Sequence, residues 1–248
     1  MLTEKRYELI LELLDKKRSV TVPEIKEVLG VSESTIRRDL NALDKAGRLT
    51  KVFGGAVSSD GTFTGTEPSV AQKMELQQEE KRRIAQFAAG LIQPDDFVYL
   101  DAGTTTGDIL DYLPARSATF VTNAVSHAKR LAAAGNRVIL IGGELKGTTE
   151  AVIGSQAILT IQGYHFTKGF FGTNGVSKRH GFTTPDPNEA LVKQEAMRQT
   201  ERCYVLADSQ KFGMVSSVTF GVFEEATILT ETEPPEGFSG SKNIRVAK

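Results

Sequence analysis

The sequence predicts two domains of different class: a small helical head carrying a strand pair, then a larger α/β body on a mainly parallel sheet. Three observations predict this. In the first 45 residues, apolar side chains recur at helical spacing in three short blocks. From Phe97 onward, short apolar runs alternate with helix-like stretches. Between the two lies Ser58–Thr66 (SSDGTFTGT), rich in Ser, Thr and Gly and without helical period, which reads as a linker. The expected boundaries are a head at 1–57, a linker at 58–74 and a body at 75–248.

The first helix is expected over Thr3–Lys16, with Tyr7, Ile10, Leu11 and Leu14 on one face. The second begins at Thr21, where Thr21-Val22-Pro23-Glu24 has the spacing of a capping box. Its inward face is read as Ile25, Val28 and Leu29, and Gly30 ends it. Only Gly30 and Val31 precede Ser32, an N-cap for a third helix carrying Ile36, Leu40 and Leu43 inward. Helix, tight turn, helix is the arrangement that lays a second helix in the DNA major groove.

At 100° per residue, Ser34, Arg38, Asn41 and Lys45 lie opposite that inward face, with Thr35 and Arg37 flanking. Arg, Asn and Ser are side chains that read base edges, and Arg and Lys neutralise phosphates. Asp39 turns inward and is assigned to orienting an arginine or to packing. After Gly47, Arg48–Ala56 reads as two short strands around a basic, glycine-bearing turn, a wing on which Lys51 would meet phosphate. The candidate DNA-contacting residues are Thr21, Ser32, Ser34, Thr35, Arg37, Arg38, Asn41, Lys51 and Gly54. A solvated three-helix bundle with no DNA partner fits the periodicity as well; the capped turn and the wing favour DNA.

The segment Val31–Leu40 (VSESTIRRDL), with Gly54-Gly55-Ala56 after it, resembles the winged helix-turn-helix of the DeoR family of bacterial sugar-operon repressors. The resemblance runs through nearly the whole chain.

In the body a helical pattern extends from Glu75 to about Ile92. Strands follow at Phe97–Asp101, Ala118–Thr122, Arg137–Ile141, Thr167–Gly172, Cys203–Ala207 and Ala226–Leu229, and Ile244–Val246 reads as an edge strand. Helices fall near Gly107–Leu113, Ala124–Ala134, Ile153–Ile161 and Asn188–Thr200. Ligands in such folds bind outside the carboxyl ends of the strands. There lie Asp101-Ala-Gly103-Thr104-Thr105-Thr106-Gly107, Thr122-Asn123, Gly142-Gly143, Thr173-Asn174 and Asp208-Ser-Gln-Lys211. Backbone N–H groups and threonine hydroxyls at a helix start suit an anion. The Gly/Thr loop is neither a Walker A loop nor a dinucleotide fingerprint, and read alone it is equally a plain turn. Lys211 and Asp208 fit a phosphate and a sugar hydroxyl, or a surface ion pair. Glu189 and Lys193, at i and i+4, either reach the pocket together or pair on the surface.

These strand ends also resemble the DeoR-family sensor domain, whose fold is similar to ribose-5-phosphate isomerase and which binds phosphorylated sugars. The fold class implied is thus α/β, an N-terminal winged helix-turn-helix plus a C-terminal α/β sensor domain. The resemblance implies that the Gly103–Thr106 loop holds phosphate, that Asp208 and Lys211 contact sugar, and that Lys81 lies near the pocket. Gly172–Val176 with Gly181–Lys193, and the start MLTEKR, look like the fructose operon repressors of Gram-positive bacteria. That implies fructose 1-phosphate as effector, with no other cofactor. The candidate effector residues are Lys81, Asp101, Gly103, Thr104, Thr105, Thr106, Thr122, Asn123, Gly142, Gly143, Thr173, Asn174, Glu189, Lys193, Asp208 and Lys211.

Composition sets the outer bounds. Apolar residues are 40% and charged residues 25%, ordinary for a globular chain. No apolar run approaches the roughly 18 residues of a membrane span, and MLTEKRYELI lacks a signal-peptide plan. A single cysteine, Cys203, excludes an internal disulfide framework and a Cys-based zinc site; it reads as a packing residue. His127, His165 and His180 show no metal-ligand spacing. A cytoplasmic location is expected. The net charge of −1 averages a head with 11 basic and 9 acidic residues over 1–58 and a body with 19 and 22. So weak a basic excess calls for a dimer or tetramer on repeated half-sites.

The reading is therefore a non-enzymatic repressor that binds operator DNA and is released by a sugar phosphate. The alternatives are an isomerase-like enzyme fused to a DNA-binding head, a family member answering a different sugar phosphate, or a scaffold whose head binds protein. Whether effector releases or favours DNA binding is left open.

Overall fold

A computed structural model describes residues 2–17, 19–45, 48–52, 54–58, 62–63, 70–114 and 118–247. It divides into two compact units, Met1–Phe63 and Thr64–Lys248. Of the linker expected at 58–74, residues 59–61 and 64–69 lie outside the described ones, as do Gly47 and the side chain of Lys45.

The head is built from α1 (Thr3–Lys17), β1 (Ser19–Thr21), α2 (Val22–Leu29), α3 (Glu33–Lys45), β2 (Leu49–Val52) and β3 (Gly55–Ser58), with a two-residue strand β4 (Thr62–Phe63) after them. Ile10, Leu14, Ile25, Leu29, Ile36, Leu40 and Leu43 share one core. The α2 start forms the expected capping box, Thr21 Oγ1 accepting from Glu24 N at 3.4 Å while Thr21 N donates to Glu24 Oε2 at 2.8 Å. Gly30 closes the helix at φ 64°, a left-handed conformation that side chains with a Cβ disfavour.

Two expectations change. Val28 is 52% exposed; Val22, one turn before Ile25, is buried instead. The wing pair β2–β3 gains a third antiparallel strand, β1, giving the order β1-β3-β2. Gly55 is needed there, because a Cβ would strike the Val20 carbonyl.

The body begins with α4 (Val70–Glu75) and α5 (Gln78–Ala89). The helix expected from Glu75 to Ile92 is α5, starting three residues later, while α4 stands where a linker was expected; at the joint between them Gln77 takes φ 52°. Next come β5 (Phe97–Leu100), α6 (Thr104–Asp108), β6 (Thr119–Thr122), α7 (Val125–Ala133) and β7 (Arg137–Leu140). A hairpin of β8 (Glu144–Lys146) and β9 (Ala151–Ile153) precedes α8 (Ser155–Gln162) and β10 (Phe166–Gly172). The chain continues through β11 (Gly175–Ser177), β12 (Gly181–Thr184), α9 (Pro187–Arg198) and β13 (Thr200–Leu206). It ends with β14 (Met214–Val215), β15 (Val218–Gly221), β16 (Thr227–Thr230) and β17 (Ile244–Val246).

Seven parallel strands form the main sheet in the order β17-β16-β13-β10-β5-β6-β7. Successive strand residues point to opposite faces. Phe170 and Phe120 accordingly join one core while Phe171 and Val121 join the other, so both faces are covered. Ile244–Val246 is the edge strand expected. The small antiparallel sheet β11-β12-β15 and the β8–β9 hairpin are absent from the sequence-based element list. Their strands are three or four residues long, too short to set a period.

Candidate functional site

In the head, α3 turns Ser34, Arg37, Arg38 and Asn41 outward, with Thr35 half-buried beside them. Arg38 has no partner among the described residues, while Arg37 reaches Glu33 at 3.7 Å. Ser32 Oγ accepts from Thr35 N at 3.3 Å and contacts the Ser34 and Thr35 hydroxyls at 2.9 Å each, so it caps the helix. Lys51 ties wing to helix: its Nζ donates to Asn41 Oδ1 at 2.6 Å and its N–H to Asp44 Oδ1 at 2.9 Å. Gly54 is exposed at the strand turn with φ 84°. Asp39 does orient an arginine, Arg6 of α1, through bonds of 2.6 and 3.0 Å inside the core. Thr21 is occupied in its capping box, where the Thr21 N–H, with Lys17, holds the Glu24 carboxyl down to about 2.

In the body, loops after four neighbouring strands, β13, β10, β5 and β6, open into a cavity of about 220 Å³. Lys81, Asp101, Gly103, Thr104, Thr105, Thr173, Asn174, Glu189, Lys193, Asp208 and Lys211, all expected there, line it. Five others do not. Thr106 is buried and donates to the carbonyls of Asp101 at 2.7 Å and Gly103 at 2.9 Å, holding the loop closed. Thr122 Oγ1 accepts from Ala124 N at 3.1 Å. Asn123 accepts from Ala102 N at 3.0 Å and donates to Val152 O at 3.2 Å, bracing β5 to β9. Gly142 and Gly143 fall outside the lining, because β7 is an edge strand and its end turns into the hairpin.

Glu189 and Lys193 face the cavity together but do not pair with each other. Lys193 Nζ donates to Asp101 Oδ2 and, at 3.1 Å, to Gly172 O. Glu189 Oε1 accepts from Lys146 Nζ at 2.9 Å and from Thr149 Oγ1. Asp101 Oδ2 also accepts Gly172 N at 3.0 Å. Burial pushes the Asp208 carboxyl up against the pull of Lys211, and pushes Lys81 down against the pull of Asp208. Glu231 fixes the Asp208 loop by accepting Ser209 N on both oxygens at 3.1 Å.

Sequence reasoning missed His127, Arg130, Thr149 and the α4 residues of the lining. His127 is buried, its Nδ1 lacks a partner among the described residues, and burial drops its pKa to about 4, so the ring is neutral at pH 7. A lone histidine carries no spacing signal; its place behind Asn123 was the cue available. Cys203 packs in β13 with its thiol pushed up to about 12 by burial, which leaves it protonated. Among the described residues there is no metal-binding cluster and no helix long and apolar enough to cross a membrane.

The model of the DeoR-like helix-turn-helix domain matches residues 6–62, and that of the DeoR C-terminal sensor domain matches residues 76–232. The chain belongs to the DeoR family. It is a helix-turn-helix transcriptional regulator, and the enzyme reading falls away with that assignment. It is 41% identical to the uncharacterized HTH-type transcriptional regulator FruR of Bacillus subtilis (strain 168), over 100% of this chain and 98% of that one. It is 34% identical to the lactose phosphotransferase system repressor of Streptococcus mutans, covering 92% of each. Among solved structures, ribose 5-phosphate isomerase A of Methanocaldococcus jannaschii superposes at TM-score 0.41 and 12% identity over 54% of each chain. The sorbitol operon regulator SorC of Klebsiella pneumoniae gives TM-score 0.40 at 14% identity, over 84% of this chain and 95% of that one.

Proposed function

We propose that this DeoR-family regulator represses a sugar-utilisation operon and leaves its operator when a phosphorylated sugar, fructose 1-phosphate, fills the body cavity. The observation that carries the ligand class is the mixed lining. The ammonium groups of Lys81 and Lys211 stand with the Gly103–Thr105 loop, where a phosphate gains charge and N–H donors. The carboxylates of Asp101 and Glu189 line the same cavity as acceptors, and sugar hydroxyls can donate to them. The name of one relative, a lactose phosphotransferase system repressor, supports a sugar operon.

The head contributes Arg38, Ser34 and Asn41 to base edges and Arg37 and Lys51 to phosphates, with Ser32, Thr35, Thr21 and Gly54 setting the helix and wing. One head offers few contacts, so the operator is bound by a dimer or tetramer on repeated half-sites. By linkage, a ligand that releases DNA binds the DNA-bound form more weakly.

The test is operator release, followed by fluorescence anisotropy, with fructose 1-phosphate, fructose 1,6-bisphosphate and tagatose 6-phosphate titrated in parallel. Release by fructose 1-phosphate at the lowest concentration is expected. No release by it at millimolar concentration removes the fructose assignment, and release by tagatose 6-phosphate instead redirects it.

A further inference from the structure

One wall of the cavity differs from the others. Asp101, Asn174, Lys193 and Asp208 stand on strand ends or on a helix docked against the sheet. The facing wall is Val70, Lys73, Met74, Leu76 and Gln77, from α4 and its joint to α5. A six-residue helix has no stability of its own in water. None of its described side chains belongs to a hydrophobic core, and Met74 and Leu76 are 58% and 55% exposed. Two bonds reach carbonyls of its last turn: Gln78 Nε2 donates to Met74 O at 3.1 Å, and Lys81 Nζ donates to Lys73 O. Its joint, Gln77, sits at φ 52°, a region that residues with a Cβ avoid. Lys81 is buried, lines the cavity itself, and lies in the field of Asp208, Lys211 and Asp108.

We propose that Lys81 is a bridge between the effector and α4. Its ammonium carries three donors; one serves the Lys73 carbonyl and the others meet the anionic group of the ligand. Occupancy therefore adds a bond that clamps α4 across the cavity. Val70 follows Phe63, the last residue of the head unit, by seven positions, so α4 is the first element of the body through which occupancy reaches the chain leading to the head. The ordering of α4 is then the step that couples effector to operator. This rests on reading the cavity as the site of a phosphorylated effector.

Hydrogen exchange with mass spectrometry on the full chain tests it, beside calorimetric titration of fructose 1-phosphate. Amides of residues 73–78 are expected to exchange at least about tenfold more slowly in the saturated protein. Binding without slowing there overturns the proposal and leaves the effector reading intact. If neither fructose 1-phosphate nor the two other sugar phosphates bind, both are overturned. A ligand-free comparison needs no binding at all. Lys81→Met, which keeps the aliphatic stem, is expected to speed exchange at 73–78 by about tenfold while the buried half of α5 keeps its protection. Unchanged exchange in that variant overturns the bridge.

Discussion

Arg38 is exposed and unpartnered among the described residues, so Arg38→Ala removes no internal bond. Operator affinity should fall by about tenfold to a hundredfold if the guanidinium reads a base, with the folded head unchanged by circular dichroism. His127 makes a stability prediction. Its pKa is lowered to about 4 by burial, below the usual 6.5, so between those values the unfolded chain holds the extra proton. Stability is therefore full above pH 6.5 and is lost as pH falls toward 4, by roughly 3 kcal/mol. Denaturant unfolding across that window should lose this slope in His127→Gln. Arg6 and Asp39 form the opposite kind of site, a buried pair whose partners satisfy each other. Asp39→Asn should lower the melting temperature of the head, since it strands a buried guanidinium.

Elements are where the sequence was most legible. The capped α2, the stop at Gly30 and the inward triad of α3 each follow from a local rule, and each is present. Thr21→Ala should cost about 1 kcal/mol by denaturant unfolding, because one capping acceptor is lost. Leu40→Ala, at 1% exposure, should cost roughly 2–5 kcal/mol through the cavity it leaves. Six body strands came within a few residues of their runs, since parallel strands covered on both faces are near-continuous apolar segments. The failures share a cause. Val28 has the right side chain on the wrong angle of a helix only eight residues long. The α4–α5 break falls at Leu76-Gln77, in a charged run with neither Gly nor Pro to mark it. The third wing strand is held by pairing with β3, which no local signal announces.

At the scale of the whole molecule, the proposed ligand class rests on the two kinds of charge that line the cavity. Asp101 and Glu189 are acceptors with buried carboxylates, so a second phosphate brought against them would meet like charge and offer no donor. Fructose 1-phosphate should bind at least about tenfold tighter than fructose 1,6-bisphosphate by calorimetry, and Glu189→Gln should narrow that ratio. A bisphosphate that binds equally well would assign these carboxylates to structure alone.

From the sequence by itself came the two-domain plan, the helix-turn-helix with its wing, the chemistry-bearing loops at strand ends and the family. These are set by nearest-neighbour rules: periodicity, caps, turns and short motifs. Tertiary structure decided the rest. It separated Thr106, Thr122 and Asn123, which brace loops, from Thr104, Thr105 and Asn174, which face the cavity, though all are small polar residues at strand ends. It gave Lys193 to Asp101 rather than to Glu189, and it brought His127 and the α4 segment to the cavity wall. Sequence spacing fixes which residues share a face of one element. Only the packing of elements fixes which faces meet, and the cavity is made where the loops after β5, β6, β10 and β13 meet α4, α5, α7 and α9.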